Sequence, residues 1–379
     1  MRSKTFLILL VICVILAGLS FFSFRQKKSH ETKSALGAQL FTDLEINEIT
    51  KIIILSPQAE VNLKKLDPFW AVAERFNQPA DFDQLIDLVK QIADLKVGRR
   101  FEASAEAIDR LGLQDPKNKS LPEKVRGIKI IFKNSQNKIL ADILLGKIRE
   151  SSGSSGGQYI RLADQNKVIL VDNSFRFINK KPEEWLQKEL VTVNAAQIEK
   201  MECFEPGNNS QPLYTLIRPE QDKDPVLLNP PKGNKPDQNK PDQNKIDQTF
   251  EALDPLRIDD IKGPADKEKT DLSKHYSFVY SLYNGIKYTV YSSDKPLADK
   301  DKYYLNISLS FTAPTLKQDK NEIKQPLKTE KSQEQPGQKT KKLNNQISPW
   351  TYVISTWQHE SFVKDIKKFI KIESKTLSK

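Results

Sequence analysis

The sequence is poor in the residues on which disulfide-rich folds, metal sites and nucleophilic catalysis depend. Among 379 residues there are only two cysteines and three histidines. Cys13 and Cys203 are too few for a disulfide framework or a structural zinc site. His30, His275 and His359 are far apart in sequence, and none has a nucleophile or a further ligand at a useful spacing. We therefore expect a protein that is not an enzyme and that holds neither a cofactor nor a metal.

The charge distribution argues against a nucleic-acid ligand. The chain has 60 Lys and Arg against 49 Asp and Glu, but five of the basic residues and none of the acidic ones lie in residues 1–28. The rest of the chain carries 55 basic and 49 acidic residues, an excess of only six. That imbalance is too small to indicate a basic face that binds DNA or RNA.

An uncharged run near the N-terminus predicts a membrane anchor. Residues 5–24 contain no charged residue, and twenty helical residues extend about 30 Å, the thickness of a bilayer hydrocarbon core. The run continues past Ala17-Gly18 without the small-residue pattern of a cleavage site, so we expect the anchor to be retained. Basic residues flank it on both sides, so their charge does not set its orientation. The long chain that follows favours a single-pass signal-anchor with the bulk outside the cytoplasm.

The periodicity beyond this anchor, which with its basic flanks covers residues 1–28, predicts an α+β fold. A polar spacer at residues 29–40 precedes β-branched runs that predict a small antiparallel meander. Asp81 and Gln84 form a capping box before apolar residues at helical spacing. A second helix is expected to end at Gly112, and a third to begin at Pro182 and carry Trp185, Leu186 and Leu190.

The remaining elements are predicted from runs of β-branched and aromatic residues. The helix expected near the C-terminus carries Phe362, Val363, Ile366, Phe369 and Ile370. The strands expected on the same grounds cover residues 127–133, 139–145, 159–162, 167–171, 276–282, 286–291, 303–311 and 350–356.

The second half of the chain repeats the apolar pattern of the first half. We therefore expect two tandem related lobes, 41–192 and 193–375, each an antiparallel β-meander with packed helices. Low-complexity insertions are expected at residues 229–246 and 315–347 in the second lobe. The alignment rests on residues 48–52 with 197–201, and on residues 82–84 with 246–248.

Several short motifs occur in an order that resembles a known family. They are Phe69-Trp70, Pro79-Ala80-Asp81, Leu111-Gly112-Leu113-x-x-Pro116, Leu144-Leu145-Gly146, Tyr159-Ile160-Arg161-Leu162 and Val168-Ile169-Leu170-Val171. Together with the anchor they resemble the bacterial domain-of-unknown-function family DUF4340, most closely over about residues 40–205. The resemblance implies a single-pass envelope protein that is often found with ABC transport systems of the gliding-motility type. It implies no catalytic residue.

Paired acidic residues would suit acid–base chemistry or calcium binding, but they have a simpler interpretation. Glu183 and Glu184 follow Pro182 in a predicted first helical turn, where the helix dipole stabilises carboxylates. That placement explains the pair without a ligand. Asp259-Asp260 is a second such pair.

The function we expect is a non-catalytic extracytoplasmic accessory or scaffold protein of the cell envelope, in the bacterial cytoplasmic (inner) membrane. Its expected partner is a membrane or envelope protein of an ABC-type transport or motility-like assembly. Strand alternation sends some tyrosines of the second lobe outward, so Tyr280, Tyr283, Tyr288 and Tyr291 are the candidate contact surface, with the core as their alternative place. The alternative function is a ligand-binding envelope protein that holds a glycan, lipid or peptide in the cleft between the lobes.

Overall fold

The computed structural model describes residues 36–149, 156–163, 167–208, 210–230, 241–263, 272–298, 301–313 and 335–370. The predicted anchor at residues 5–24 and most of the predicted spacer lie outside these residues. Among the helices that are described, none is long and apolar enough to cross a membrane.

The fold class is α+β with mostly antiparallel sheets and few helices, as the sequence predicts. The helices of the described chain are α1 (Phe82–Ala93), α2 (Ala105–Arg110), α3 (Gln243–Phe250), α4 (Pro336–Ile347) and α5 (Thr356–Glu360). Its strands are β1 (Lys51–Leu55), β2 (Glu60–Leu66), β3 (Phe69–Val72), β4 (Gln78–Pro79), β5 (Val97–Glu102), β6 (Ile128–Lys133), β7 (Ile139–Ile148), β8 (Gln158–Leu162), β9 (Lys167–Val171), β10 (Glu189–Val191), β11 (Ile198–Phe204), β12 (Tyr214–Ile217), β13 (Val226–Leu228), β14 (Leu256–Arg257), β15 (Asp260–Lys262), β16 (Ser277–Leu282), β17 (Ile286–Ser292), β18 (Lys302–Phe311) and β19 (Thr351–Ser355).

The chain divides into two compact units. Within the described residues, the first unit comprises 36–47, 88–130 and 140–177, and the second comprises 48–87, 131–139 and 178–370. The boundary predicted between residues 192 and 193 lies inside the second unit.

In the first unit, β7, β8, β9 and β5 form consecutive antiparallel pairs. Leu113, Leu144 and Val168 are buried beside these strands, with Phe101 and Tyr159 packed against them. The rings of Phe101 and Tyr159 meet edge to face, with centroids 6.3 Å apart. These apolar contacts make the core of the first unit.

The Leu111-Gly112-Leu113 and Leu144-Leu145-Gly146 motifs meet in this core and have a structural role. Gly112 has φ +68°, a left-handed conformation that ends α2 as predicted. A Cβ atom at Gly146 would lie 2.5 Å from the Leu111 carbonyl oxygen and 2.7 Å from the Leu113 side chain. The backbone N–H of Lys147 donates to that same Leu111 oxygen at 2.8 Å. The two motifs therefore hold two backbone segments in close contact.

The second unit contains an antiparallel meander and a separate eight-stranded sheet. The meander consists of β1, β2, β3 and β4. The eight-stranded sheet has the order β13-β12-β11-β16-β17-β18-β19-β15. Its core includes the fully buried rings of Phe278 and Phe250, and Phe278 also packs against Phe362 with centroids 5.4 Å apart.

One continuous stretch, residues 185–193, is hydrogen-bonded first to the β4 region and then to β14, which directly precedes β15 of the eight-stranded sheet. Asp81 N–H donates to the Trp185 carbonyl at 2.8 Å, and Gln187 N–H donates to the Pro79 carbonyl at 2.9 Å. Further along, Glu189–Val191 pairs with Leu256–Arg257. This stretch, the bridging strand, links the meander to the sheet inside the second unit.

The N-cap predicted at Asp81 is confirmed, but the reciprocal half of the capping box is not, because the Asp81 N–H donates to the Trp185 carbonyl instead. Gln84 N–H donates to Asp81 Oδ1 at 3.1 Å, and its side-chain amide donates to Asp81 Oδ2 at 2.8 Å. The predicted strands in residues 127–171 and 276–356 are also confirmed within a few residues.

Two predicted helices are wrong. Pro182–Trp185 forms a single 3-10 turn, because the backbone beyond it pairs with β4 as part of the bridging strand. Near the C-terminus, α5 ends at Glu360 and only a 3-10 turn follows at Ile366–Phe369. Phe362, Val363 and Phe369 are all buried, so their spacing reflects core packing of irregular chain rather than one helix face.

Part of the predicted insertion at residues 315–347 is a helix. Pro336–Ile347 forms α4, in which Thr340 and Ile347 are buried. The Asn344 side chain accepts a 2.7 Å hydrogen bond from the Leu309 N–H of β18. Packing against the sheet thus stabilises a sequence whose Lys, Gln and Asn content predicts a solvated loop.

Replacing Gly146 with alanine is expected to destabilise the first unit by about 1–3 kcal/mol, because the new Cβ would overlap the Leu111 carbonyl. The control is Gly207→Ala, where a Cβ meets nothing within 4 Å and only the positive φ is penalised. Urea unfolding of both variants measures the difference. A loss well below about 1 kcal/mol for Gly146→Ala would show that the close approach at Gly146 has little energetic weight.

Candidate partner-binding groove

A strained turn follows β3 and shapes one wall of a groove in the second unit. Phe76 and Asn77 both have left-handed backbones, with φ +58° and +56°. This conformation costs a residue with a Cβ about 1–2 kcal/mol, although asparagine tolerates it better than phenylalanine. Asn77 N–H donates to the Val72 carbonyl at 3.1 Å. One backbone hydrogen bond offsets little of that cost. Side-chain contacts must therefore provide the remaining stabilisation of the turn.

Arg75 supplies the strongest of these contacts. Its Nη2 donates to Glu183 Oε2 at 2.6 Å, and its Nε donates to Asp260 Oδ1 at 2.6 Å. The three side chains are only 14–27% exposed, so solvent screens these ion pairs less than pairs at an open surface. The Arg75 bracket, defined as Arg75 with these two carboxylates, joins the turn to the start of the bridging strand and to β15.

Lys188 reinforces the same junction. Its ammonium donates to the Glu183 carbonyl and to the Asp259 carbonyl, each at 2.7 Å. Burial lowers the pKa of Lys188, while the nearby carboxylates of Asp259 and Asp260 act in the opposite direction. The two segments whose carboxylates accept hydrogen bonds from Arg75 are therefore also joined by Lys188.

Aromatic packing completes the wall. The Phe76 and Trp350 rings lie 5.2 Å apart between centroids, tilted by 33°. A Cβ at Gly263 would lie 2.8 Å from the Phe76 ring, so the glycine leaves the space that the ring fills. Trp350 is fixed in turn by its indole N–H, which donates to the Gln346 carbonyl at 2.9 Å.

The groove itself has a cavity volume of about 540 Å³. Phe69 and Trp350 both line it, and Phe69 is 40% exposed. Its floor is apolar and buried, and it is formed by Leu186, Ile258, Ile261, Ile347 and Tyr352. A site of this size with an apolar floor is typical of ligand and peptide pockets.

Uncharged amides surround this floor. They are the side chains of Asn77, Gln78, Gln187, Asn345 and Gln346. None of the five side-chain amides has a hydrogen-bond partner among the residues that the structure describes. In the described part of the chain, the lining includes one charged residue, Glu189, and its carboxylate is paired with Arg257 at 3.0 Å. The groove therefore offers hydrogen bonds without net charge.

The predicted tyrosine surface is divided by the sheet. Tyr280 is fully buried and donates to the Thr249 carbonyl at 2.9 Å, and Tyr288, its cross-strand neighbour, is 8% exposed. Tyr283 and Tyr291 are partly exposed. Tyr280 and Tyr288 thus pack in the core, which leaves only Tyr283 and Tyr291 for a contact surface.

Polar side chains that are distant in sequence converge at one end of the eight-stranded sheet. Ser292 Oγ lies 2.7 Å from His359 Nδ1, and the Tyr303 ring stacks on His359 at 3.7 Å. Close by, Asp294 lies 2.7 Å from His275 Nδ1 and 2.6 Å from Lys364 Nζ.

This cluster does not form an accessible catalytic site. Ser292 is fully buried, so its hydroxyl is closed to a substrate. Burial lowers the pKa of His359 to about 4, and the charge of Lys364 acts in the same direction, so the imidazole is neutral at pH 7. No group of three or more His, Cys, Asp or Glu side chains suited to a metal occurs in the described residues. The arrangement is best explained as packing and hydrogen bonding at the sheet end.

Replacing Arg75 with methionine is expected to lower the free energy of unfolding of the second unit by about 1–3 kcal/mol, because two shielded carboxylates lose their charged partner. The matched control is Arg257→Met, which breaks a pair whose side chains are 55% and 44% exposed and costs less than about 1 kcal/mol. Urea unfolding followed by tryptophan fluorescence measures both. A smaller loss for Arg75→Met than for the control would contradict the importance of the Arg75 bracket.

Acidification is expected to destabilise the folded protein through His359. The unfolded histidine binds its proton near pH 6.5, whereas the folded one binds it near pH 4. The unfolded state therefore binds more protons between these values, so stability falls as the pH drops from 6.5 to 4, and above 6.5 the histidine has no effect. Thermal unfolding midpoints across this range should fall less steeply for His359→Gln than for the wild type. Parallel slopes would contradict the burial of a neutral His359.

A protein-family model described as a domain of unknown function, DUF4340, matches residues 70–275, more than half of the chain. The matched range includes Arg75, Glu183 and Asp260, while the wall formed by α4 and Trp350 lies beyond it. No curated protein and no solved structure matches the chain. The resemblance inferred from the sequence motifs is confirmed, and the chain belongs to the DUF4340 family of domains of unknown function.

Proposed function

We propose that the protein is a non-catalytic accessory or scaffold protein of the bacterial cell envelope that binds another membrane or envelope protein. The observation that carries this proposal is the groove in the second unit. Its lining combines an aliphatic floor, aromatic walls and neutral amides. Such a lining is suited to binding, because amides are poor general acids, bases and nucleophiles at neutral pH.

The ionisable groups of the lining are not suited to catalysis either. Glu189 is paired with Arg257, and burial raises the pKa of Tyr352 well above its ordinary value. Tyr352 also donates its hydroxyl to the Ile347 carbonyl at 2.9 Å. Neither group resembles a carboxylate or phenol prepared for proton transfer at neutral pH.

The placement of the protein in the envelope is part of the same proposal. It rests on the uncharged run at residues 5–24 and on the resemblance to single-pass envelope proteins. In this proposal the bulk of the chain is extracytoplasmic, and the partner belongs to an ABC-type transport or motility-like assembly.

We further propose that two tandem related lobes build the groove. The supporting observation is the order of elements. β1–β2–β3 form an antiparallel meander, and β5, which follows α1, pairs with β9, the last strand of its sheet in chain order. Likewise β11–β12–β13 form a meander, and β15, which follows α3, pairs with the final strand β19. Duplication of one module accounts for both patterns.

The same arrangement favours the second candidate function, a ligand-binding envelope protein with its site in the cleft between lobes. Phe69 and Pro79 on one side belong to the proposed first lobe, and Ile261 and Trp350 belong to the proposed second lobe. All four residues lie in the second compact unit. A glycan, lipid or free peptide in this cleft would raise the thermal unfolding midpoint of the purified protein.

The accessory role is tested by brief cross-linking of cells that make the tagged full-length protein, followed by purification in mild detergent. We expect subunits of one membrane assembly to be enriched, and we expect Phe69→Ser to reduce their enrichment severalfold. The matched control is Phe82→Ser, because Phe82 is a 52% exposed phenylalanine that does not line the groove.

Two outcomes would contradict the proposal. One is the absence of any enriched membrane or envelope protein relative to a strain with a scrambled anchor. The other is equal enrichment with Phe69→Ser and the wild type, which would remove the groove from the interaction. A thermal shift with an envelope glycan or lipid in the first case would favour the second candidate function.

A further inference from the structure

We infer that the groove of the second unit takes an extended peptide segment of a partner protein, with apolar side chains directed to its floor. This inference rests on the proposed binding function and names the chemistry of the partner. It is carried by the amide rim, the aliphatic floor and a lining whose described residues include no cation.

The amides of the rim match a peptide main chain. Each Asn or Gln side chain presents both a donor and an acceptor, and a peptide backbone presents both in alternation. Gln78 and Gln187 lie on the side of the groove formed by β4 and the bridging strand, and Gln346 lies at the end of α4. Their side chains have no partner in the described residues, so they remain available to an occupant. An occupant without hydrogen-bonding groups would bury them unsatisfied.

The floor matches the alternating side chains of an extended segment. Successive side chains of a strand point to opposite faces, so every second residue of a bound segment reaches the floor. Leu186, Ile258 and Ile347 provide a buried aliphatic surface there. Val, Leu or Ile side chains would remove apolar area from water on that surface. A glycan would use the amides but would gain little from an aliphatic floor.

The charge of the lining excludes strongly anionic occupants. Phosphate and carboxylate groups bind where Lys or Arg side chains or clustered backbone N–H groups face them. Among the described residues, no Lys or Arg lines the groove, and the lining includes Glu189. A phospholipid head group or an acidic glycan would therefore lose hydration without gaining a charged partner.

The groove is also held in shape before binding. The Arg75 bracket fixes one side, and the contact of Phe76 with Trp350 joins it to the other side. A preformed site loses less conformational entropy when an extended peptide binds.

The inference is tested with the full-length protein in nanodiscs and a synthetic peptide library. In the library, ten-residue acetylated and amidated peptides alternate Val, Leu, Ile or Phe with Ser, Thr, Asn or Lys. The reference library has the same composition, with its apolar residues in one block at one end. We expect the protein to retain alternating peptides selectively, and N-methylation of alternate backbone amides in a retained peptide to weaken binding about fivefold or more, as expected for a lost hydrogen bond.

Matched variants locate the binding. Gln187→Ala with Gln346→Ala is expected to weaken binding of a retained peptide about fivefold or more. The control pair is Gln91→Ala with Gln136→Ala, because both control glutamines are exposed and lie outside the groove. Equal thermal midpoints for the two pairs show that the effect is not one of folding.

Three results would overturn the inference. They are equal retention of the two libraries, tolerance of N-methylation, and variant-sensitive binding of phosphatidylglycerol vesicles or of chitooligosaccharide in place of peptide. If the protein does not retain alternating peptides selectively while the membrane partner is still enriched with the wild type, the peptide inference is wrong and the accessory role stands. If peptides bind as expected and no partner is enriched, the accessory role is wrong and the peptide chemistry stands.

Discussion

The contact of Arg75 with Glu183 and Asp260 determines how the second unit presents its groove. One guanidinium joins a turn to two segments that lie 108 and 185 residues further along the chain. Phe76 and Asn77, which have left-handed backbones, follow Arg75 directly. This unfavourable conformation is maintained because the ion pairs of Arg75 and the contact of Phe76 with Trp350 stabilise the turn. Without this bracket, the turn would relax and the wall to which Asn77 belongs would lose its position.

In the groove, the backbone hydrogen bonds of the bridging strand are satisfied, whereas the side-chain amides of the rim have no partner in the described chain. The bridging strand uses its backbone hydrogen bonds in pairing with β4 and β14, so the floor is rigid. The rim amides, by contrast, have no partner in the described chain, so we expect water to satisfy them in the free protein. An occupant that displaces this water must replace those hydrogen bonds, which makes the site selective for polar backbones with apolar side chains.

The regular elements were predictable because each carries a local signal. The N-cap at Asp81 and the β-branched strands confirm this. The α4 helix was missed because its stability comes from contacts such as that of Asn344 with β18 rather than from its own composition. The groove was not predictable either, since Arg75 is a single arginine whose partners are distant in sequence. Alternation predicted that some tyrosines face outward, but only the packing of the sheet shows that Tyr280 and Tyr288 of the four candidates lie in the core.

The most direct test of this account is hydrogen–deuterium exchange of the full-length protein with and without the Arg75 bracket. In Arg75→Met, we expect the backbone amides of Asn77, Gln78, Ala80 and residues 185–188 to exchange at least about tenfold faster, because local opening there no longer requires breaking two ion pairs. The amides of residues 141–147 in the first unit are expected to exchange at the wild-type rate. Unchanged protection of Asn77, Gln78 and Ala80, or an equal loss of protection in both regions, would contradict the claim that Arg75 positions the groove.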